Sequence, residues 1–203
     1  MAVKKQNGPI ELKRLDIQVV DIPIIGVTPL IVHNWSEKAK RQMLEKQMKG
    51  TKLKKEPKDP QADYEASLYR FTDGRFGFPA GGFKAAIVGG GRMFDGLPMT
   101  HLKMALRVEA GSEGLIEIHG EPRMREDMVR LETGVADLRY RAEYPEWSAT
   151  LRISYNANML SLEQLVNLVN AAGFGGVGEW RPSAPKSASG SYGCFRVKTE
   201  VDV

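Results

Sequence analysis

The chain has 203 residues, 42% of them hydrophobic and 27% charged, with a formal net charge of +4. That is enough apolar material for one domain with one core, and a mildly basic balance that permits phosphate contact without demanding it. Cys194 is the only cysteine, which excludes an intramolecular disulfide and a multi-cysteine zinc site and favours a reducing compartment. No apolar run approaches the roughly 20 residues that span a bilayer, and the first residues lack the apolar centre of a signal peptide. A cytoplasmic protein of a bacterium or phage-infected cell, with no membrane partner, is expected.

In chain order, residues 1–14 are polar and charged and should form a flexible N-terminus. Residues 15–25 are β-rich and partly alternating, which predicts a strand, and Pro23 predicts that it is an edge or bulged one. A short extended piece over 29–32 follows. Ser36 caps a charged helix over 37–49 that ends at Gly50. A basic, proline-punctuated loop over 51–60 and a short helix over 61–69 come next.

The tight turn 72–75 joins two short strands over 68–71 and 76–78. Pro79 opens a helix over 80–88, closed by Gly89, Gly90 and Gly91. Residues 103–109 and 114–119 read as paired strands, and 139–144 and 147–155 as two more. Ser161 caps an amphipathic helix over 162–172 that Gly173 should end. A glycine-rich loop over 173–190 leads to a last strand over 192–201. With insertions at about 30–75 and 120–145 set aside, 15–203 forms one domain whose order is strand, helix, strand, strand, helix, strand. That is the α+β, ferredoxin-like βαββαβ pattern: an antiparallel sheet with helices on one face.

The loop Gly173-Phe174-Gly175-Gly176-Val177-Gly178-Glu179-Trp180-Arg181 carries the functional argument. It contains G-x-G-x-x-G, but a helix precedes it and a polar loop follows, so a dinucleotide site is rejected. Glycines let amides approach an anion or a base closely. Trp180 and Tyr192 offer flat faces that stack on bases or prop the loop, and Arg181 and Lys186 offer charge. The alternative is a long connection that needs small residues, with Trp180 in the core.

Gly176, Gly178, Arg181, Gly190, Tyr192, Gly193 and Phe195, placed between the last helix and last strand, resemble the RAMP superfamily of CRISPR-associated RNA-binding proteins, most of all their crRNA-coating backbone subunits. Phe78-Pro79-Ala80-Gly81-Gly82-Phe83-Lys84 looks like the start of those proteins' first helix. The loop between Arg181 and Gly190 is longer and richer in serine than in those proteins, and a phage-encoded relative fits equally well. The resemblance implies a ferredoxin-like core, sequence-independent binding of a strand of RNA or DNA, and a homo-oligomer or filament assembled head to tail along it.

Other basic residues fit phosphate binding or a solvated face alike: Lys38 and Arg41 in the first helix, Lys52, Lys54 and Lys55 after it, and Lys84 and Arg92 around the helix at 80. Arg139 and Arg141 share one strand face and Leu138 and Tyr140 the other. Glu126 and Asp127, among Arg123, Arg125 and Arg130, look like charged surface. His33, His101 and His119 have no metal-ligand spacing. No catalytic motif, cofactor or metal is expected, so the chain reads as a non-enzymatic single-strand-binding protein. A structural or assembly protein forming rings or filaments, of phage or CRISPR association, is one alternative. A metal-independent endoribonuclease using His33 is the other.

Overall fold

The computed structural model describes residues 14–35, 37–49, 57–130, 134–185 and 188–202. In chain order its elements are β1 (Ile17–Gly26), β2 (Leu30–Val32), α1 (Glu37–Lys49), α2 (Pro60–Ser67), β3 (Tyr69–Arg70), β4 (Phe76–Pro79) and α3 (Ala80–Gly90). Then come a 3-10 turn (Gly91–Met93), α4 (Met99–Ala105), β5 (Leu106–Val108), β6 (Leu115–Glu117), β7 (Arg123–Arg130) and β8 (Ala136–Tyr144). β9 (Ser148–Asn156), α5 (Leu162–Gly175), β10 (Phe195–Val197) and a second 3-10 turn (Glu200–Asp202) complete it. The chain is a mixed α/β structure with antiparallel sheets.

The main sheet has the order β10-β1-β9-β5, every neighbour antiparallel. β1 is therefore interior, not the edge strand that Pro23 suggested. The Pro23 carbonyl accepts from the Lys198 amide, so its missing N–H also falls on the β10 side. Pro23 thus forgoes only the reciprocal bond to the Lys198 carbonyl, one residue past the end of β10 at Val197. Ile22 and Ile24 of β1 and Leu151 and Ile153 of β9 share one buried cluster with Phe83 and Ile87 of α3 and Leu168 of α5. Burying each such side chain contributes roughly 1.5–3 kcal/mol. The opposite face keeps Ile17 and Val19 exposed beside an Arg152–Asp21 pair at 3.4 Å.

The two helices approach closely because small residues meet. A Cβ at Gly90 would stand 3.0 Å from the Ala172 amide. α5 starts with a full capping box: Ser161 Oγ accepts from the Gln164 amide at 3.2 Å, and Gln164 Oε1 accepts from the Ser161 amide at 2.9 Å. Gly173 does not end this helix. It lies where any side chain would overlap the Phe195 carbonyl, and the helix runs on to Gly175, with Gly176 at φ 71° as its cap.

Two smaller sheets, β2-β8-β7 and β3-β4-β6, surround this unit. The turn at 72–75 closes the β3–β4 hairpin, with Arg70 opposite Phe76. The expected strand 103–109 is instead α4 followed by the short β5, because Leu102, Ala105 and Leu106 bury together. β5 pairs with β9 and β6 with β4, so 103–109 and 114–119 do not pair with each other. β7 was not expected at all. The last strand covers only Phe195–Val197. α2 is capped by Asp59, which accepts from the Ala62 amide at 3.0 Å, and Ser67 Oγ accepts from the Ala142 amide at 2.8 Å, tying α2 to β8.

Candidate nucleic-acid interface

The glycine-rich loop is packed into the protein. The amides of Gly176, Val177, Glu179 and Gly193 donate to the carbonyls of Ala172, Gly193, Ile31 and Pro29, at 2.8–3.0 Å. Gly178 has φ 78°, and a Cβ there would sit 2.5 Å from the Ile31 carbonyl oxygen. These glycines let the loop lie on β2 and on the chain before β10. Those amides are spent on the protein's own carbonyls and do not offer themselves to an anion.

The indole of Trp180 is occupied too. Trp180 adopts φ 53°, and the guanidiniums of Arg125 and Arg141 lie 5.3 and 5.6 Å from its ring. Arg125 also lies 4.8 Å from the ring of Tyr192, which sits 6.0 Å from Trp180. Of the two roles read for this aromatic pair, the geometry is that of a prop for the loop.

The prop rests on the inner face of the β7–β8 hairpin. Arg123 faces Glu143, Arg125 faces Arg141, and Asp127 faces Arg139, so this face is charged over those three pairs. Arg125 bridges Asp127 at 2.7 Å and Glu143 at 2.8 Å, while Arg123 holds Glu143 at 2.8 Å. Asp127 is 4% exposed and Arg141 1%, so neither belongs to an open charged surface or a solvent-facing strand. Arg141 lies 3.6 Å from Asp127 and 3.8 Å from Glu179. Among the described residues its Nε and Nη1 and the Oδ2 of Asp127 have no hydrogen-bond partner. Burial lowers the Arg141 pKa. Burial pushes Glu143 up, but the hydrogen bonds from Arg123 and Arg125 prevail and hold it below the usual carboxylate range.

Beside this prop a groove of about 510 Å³ opens between α3, the end of α5 and the loop. Gly82, Ala85, Ala86 and Gly89 of α3 line one wall. Gly176, Gly178 and Arg181 line the other, with Arg92, His33 and Glu179 around them. Four of the residues read in the sequence as nucleic-acid contacts thus converge, Arg92, Gly176, Gly178 and Arg181, together with His33. Arg181 donates to the Gly178 carbonyl at 2.8 Å and Arg92 to the Met99 sulfur at 3.3 Å. Among the described residues neither has a carboxylate partner, unlike Arg123 and Arg125. Burial, then the Arg141 charge, lowers the His33 pKa, so its imidazole is neutral near pH 7.

Lys84 is half-buried on α3 and Arg41 exposed on α1; neither lines the groove. Lys52, Lys54, Lys55 and Lys186, and the side chain of Lys38, lie outside the described residues, as do the Ser36 cap and Gly50. Lys58, from the same basic stretch, is tied to Asp137 at 2.7 Å. No group of three or more His, Cys, Asp or Glu that could hold a metal occurs among the described residues, and no described helix is long and apolar enough to cross a membrane.

No protein-family model matches the chain, and no curated protein matches it. Among solved structures it is similar to a chain of the type III-B Cmr-beta bound to cognate target RNA, with 12% identity and a TM-score of 0.45 over 90% of this chain and 59% of that one. It is also similar to Cmr6 from Pyrococcus furiosus, with 10% identity and a TM-score of 0.44 over 91% of this chain and 100% of that one. At those identities and scores the likeness assigns neither family nor function.

Proposed function

We propose that β1, α3, β5, β9, α5 and β10 form a ferredoxin-like core of RAMP type, and that the chain is a non-catalytic protein that binds a strand of RNA or DNA along the groove between α3 and the glycine-rich loop. The observation that carries this reading is the pair Arg92 and Arg181. Both line one groove of small residues, and neither is neutralised by a carboxylate among the described residues. Guanidiniums left over in this way suit phosphate oxygens, which they bind through paired N–H groups. The smooth wall of Gly82, Ala85 and Gly89 admits a sugar-phosphate chain close to the helix.

The test is binding of a labelled oligonucleotide at two salt concentrations. Affinity should fall steeply with salt, and Arg92→Gln and Arg181→Gln should each flatten the slope of log K against log salt by about 0.7. Binding that ignores salt ends the reading. Among the described residues the His33 side chain has no hydrogen bond or ion pair to an acid or base, the Tyr69 hydroxyl donating only to its backbone carbonyl, so RNA incubated with wild-type and His33→Ala protein in EDTA should remain equally intact. Copies are proposed to line up along the strand. The exposed Met124, Met128 and Leu138 on the outer face of the β7–β8 hairpin support protein contacts between them. Electron microscopy with and without oligonucleotide should show particles that lengthen only when the strand is present.

A further inference from the structure

We propose that the rim of this groove is a set of base-stacking platforms, Trp35, Phe94 and Phe174, and that the ligand is single-stranded with its bases turned onto them. The inference rests on the groove reading above and adds to it the side chains that the bases of a single strand would meet. Among the described residues three aromatic side chains are exposed: Trp35 at 56%, Phe94 at 37% and Phe174 at 74%. Each adjoins the groove in the chain. Trp35 is two residues past His33, Phe94 is next to Met93, and Phe174 is next to Gly175.

They come from three separate places: the segment after β2, the end of the turn after α3, and the last turn of α5. A lone exposed apolar residue needs no explanation, but three exposed aromatics that each stand within two residues of a lining residue of one groove do. Several of the buried rings pack on one another, as Phe78 on Phe83 at 5.4 Å and Trp147 on Phe195 at 5.9 Å. The rim aromatics have no ring partner of this kind among the described residues. Free ring faces near a groove that also holds Arg92 and Arg181 suit a nucleotide, which carries both a π face and a phosphate. In a duplex those base faces are already covered by neighbouring pairs, so the rim favours a single strand.

The probe is a labelled oligonucleotide of about 12 nucleotides, within the site sizes usual for such grooves, offered single-stranded and as a duplex. Single-stranded probe should quench the exposed Trp35 and bind more tightly than duplex. Trp35→Ala, Phe94→Ala and Phe174→Ala should each weaken that binding about 5- to 150-fold, the equivalent of 1–3 kcal/mol per stacked base, with the salt slope unchanged. Trp35→Phe should restore most of the loss. Far-UV circular dichroism should match wild type, because all three side chains are exposed. Equal affinity for single strand and duplex overturns the rim, as does wild-type affinity in all three variants while Arg181→Gln still weakens binding; the groove reading then survives. No oligonucleotide binding by the wild-type chain sinks both, and capture of an unstructured acidic peptide in preference to the oligonucleotide does the same.

Discussion

Arg141 and Arg125 sit opposite each other on β8 and β7 yet carry different loads. Arg125 neutralises two buried carboxylates through short bonds and touches both loop aromatics. Arg141 has only longer contacts, and Asp127 keeps Arg125 without it. Leaving a buried charge unpaired costs about 3–5 kcal/mol, whereas replacing a poorly bonded ion by an apolar side chain is often neutral. Arg125→Met should therefore lower the melting temperature by roughly 6–20 °C, at about 2–4 °C per kcal/mol for a chain of this size. Arg141→Met should stay within about 1 kcal/mol of wild type. Thermal denaturation of the two variants checks the order. Glu143 supplies a pH signature. Its folded pKa is depressed from an ordinary 4.5. Its contribution is therefore full above that value and is lost as pH falls through the folded pKa. Glu143→Gln should flatten stability against pH on the acid side of 4.5 and leave its slope unchanged at neutral pH.

At the scale of elements, the glycines divide by what surrounds them. A Cβ at Gly193, where φ is 68°, would overlap the Val177 carbonyl, whose loop position also depends on the Val177 amide donating to Gly193. Gly89, inside α3, has nothing within 4 Å of where its Cβ would stand. Gly193→Ala should cost about 2–3 kcal/mol by strain, and Gly89→Ala should gain roughly 0.5–1 kcal/mol from helix propensity. Denaturant midpoints measured on both variants test the opposite signs. The β7–β8 hairpin shows why this element was hard to foresee. Residues 123–130 alternate, but their charged face is the covered one, beneath Glu179 and Trp180, and their methionine face is exposed. Binary patterning assumes the reverse. Loss of the Trp180 ring should free this loop: Trp180→Ala should speed amide exchange at Val177, Glu179 and Gly193 while leaving α5 protected, read by hydrogen-exchange NMR.

For the whole molecule, charge surplus and charge placement are different quantities. The net +4 is small, and much of the arginine is consumed internally by Asp127, Glu143, Asp21 and Asp202. What remains for a ligand is local, at Arg92 and Arg181. Binding should accordingly depend on those two positions more than on overall charge. Lys103→Gln removes an exposed charge remote from the groove lining and should leave oligonucleotide affinity within about twofold, as expected for a surface change, while Arg181→Gln should not. Fluorescence anisotropy at one fixed salt concentration separates them.

Local signals were readable along the chain because they act within a few residues: the helix at 37–49, the hairpin about 72–75, the Ser161 cap of the helix it opens and the strands near 15–25 and 147–155. Even the convergence of a glycine run with Arg181 was visible, since spacing records which backbone can bend and where charge sits. The tertiary structure alone decided what those groups face. It spent the loop amides on Ala172, Ile31 and Pro29, turned Trp180 onto guanidiniums, buried Arg141, and gathered Arg92, His33 and Arg181 around one cavity from elements some 60–150 residues apart. A glycine states that another group can come close. Which group comes close is fixed by pairings between distant strands and helices, and no local period encodes them.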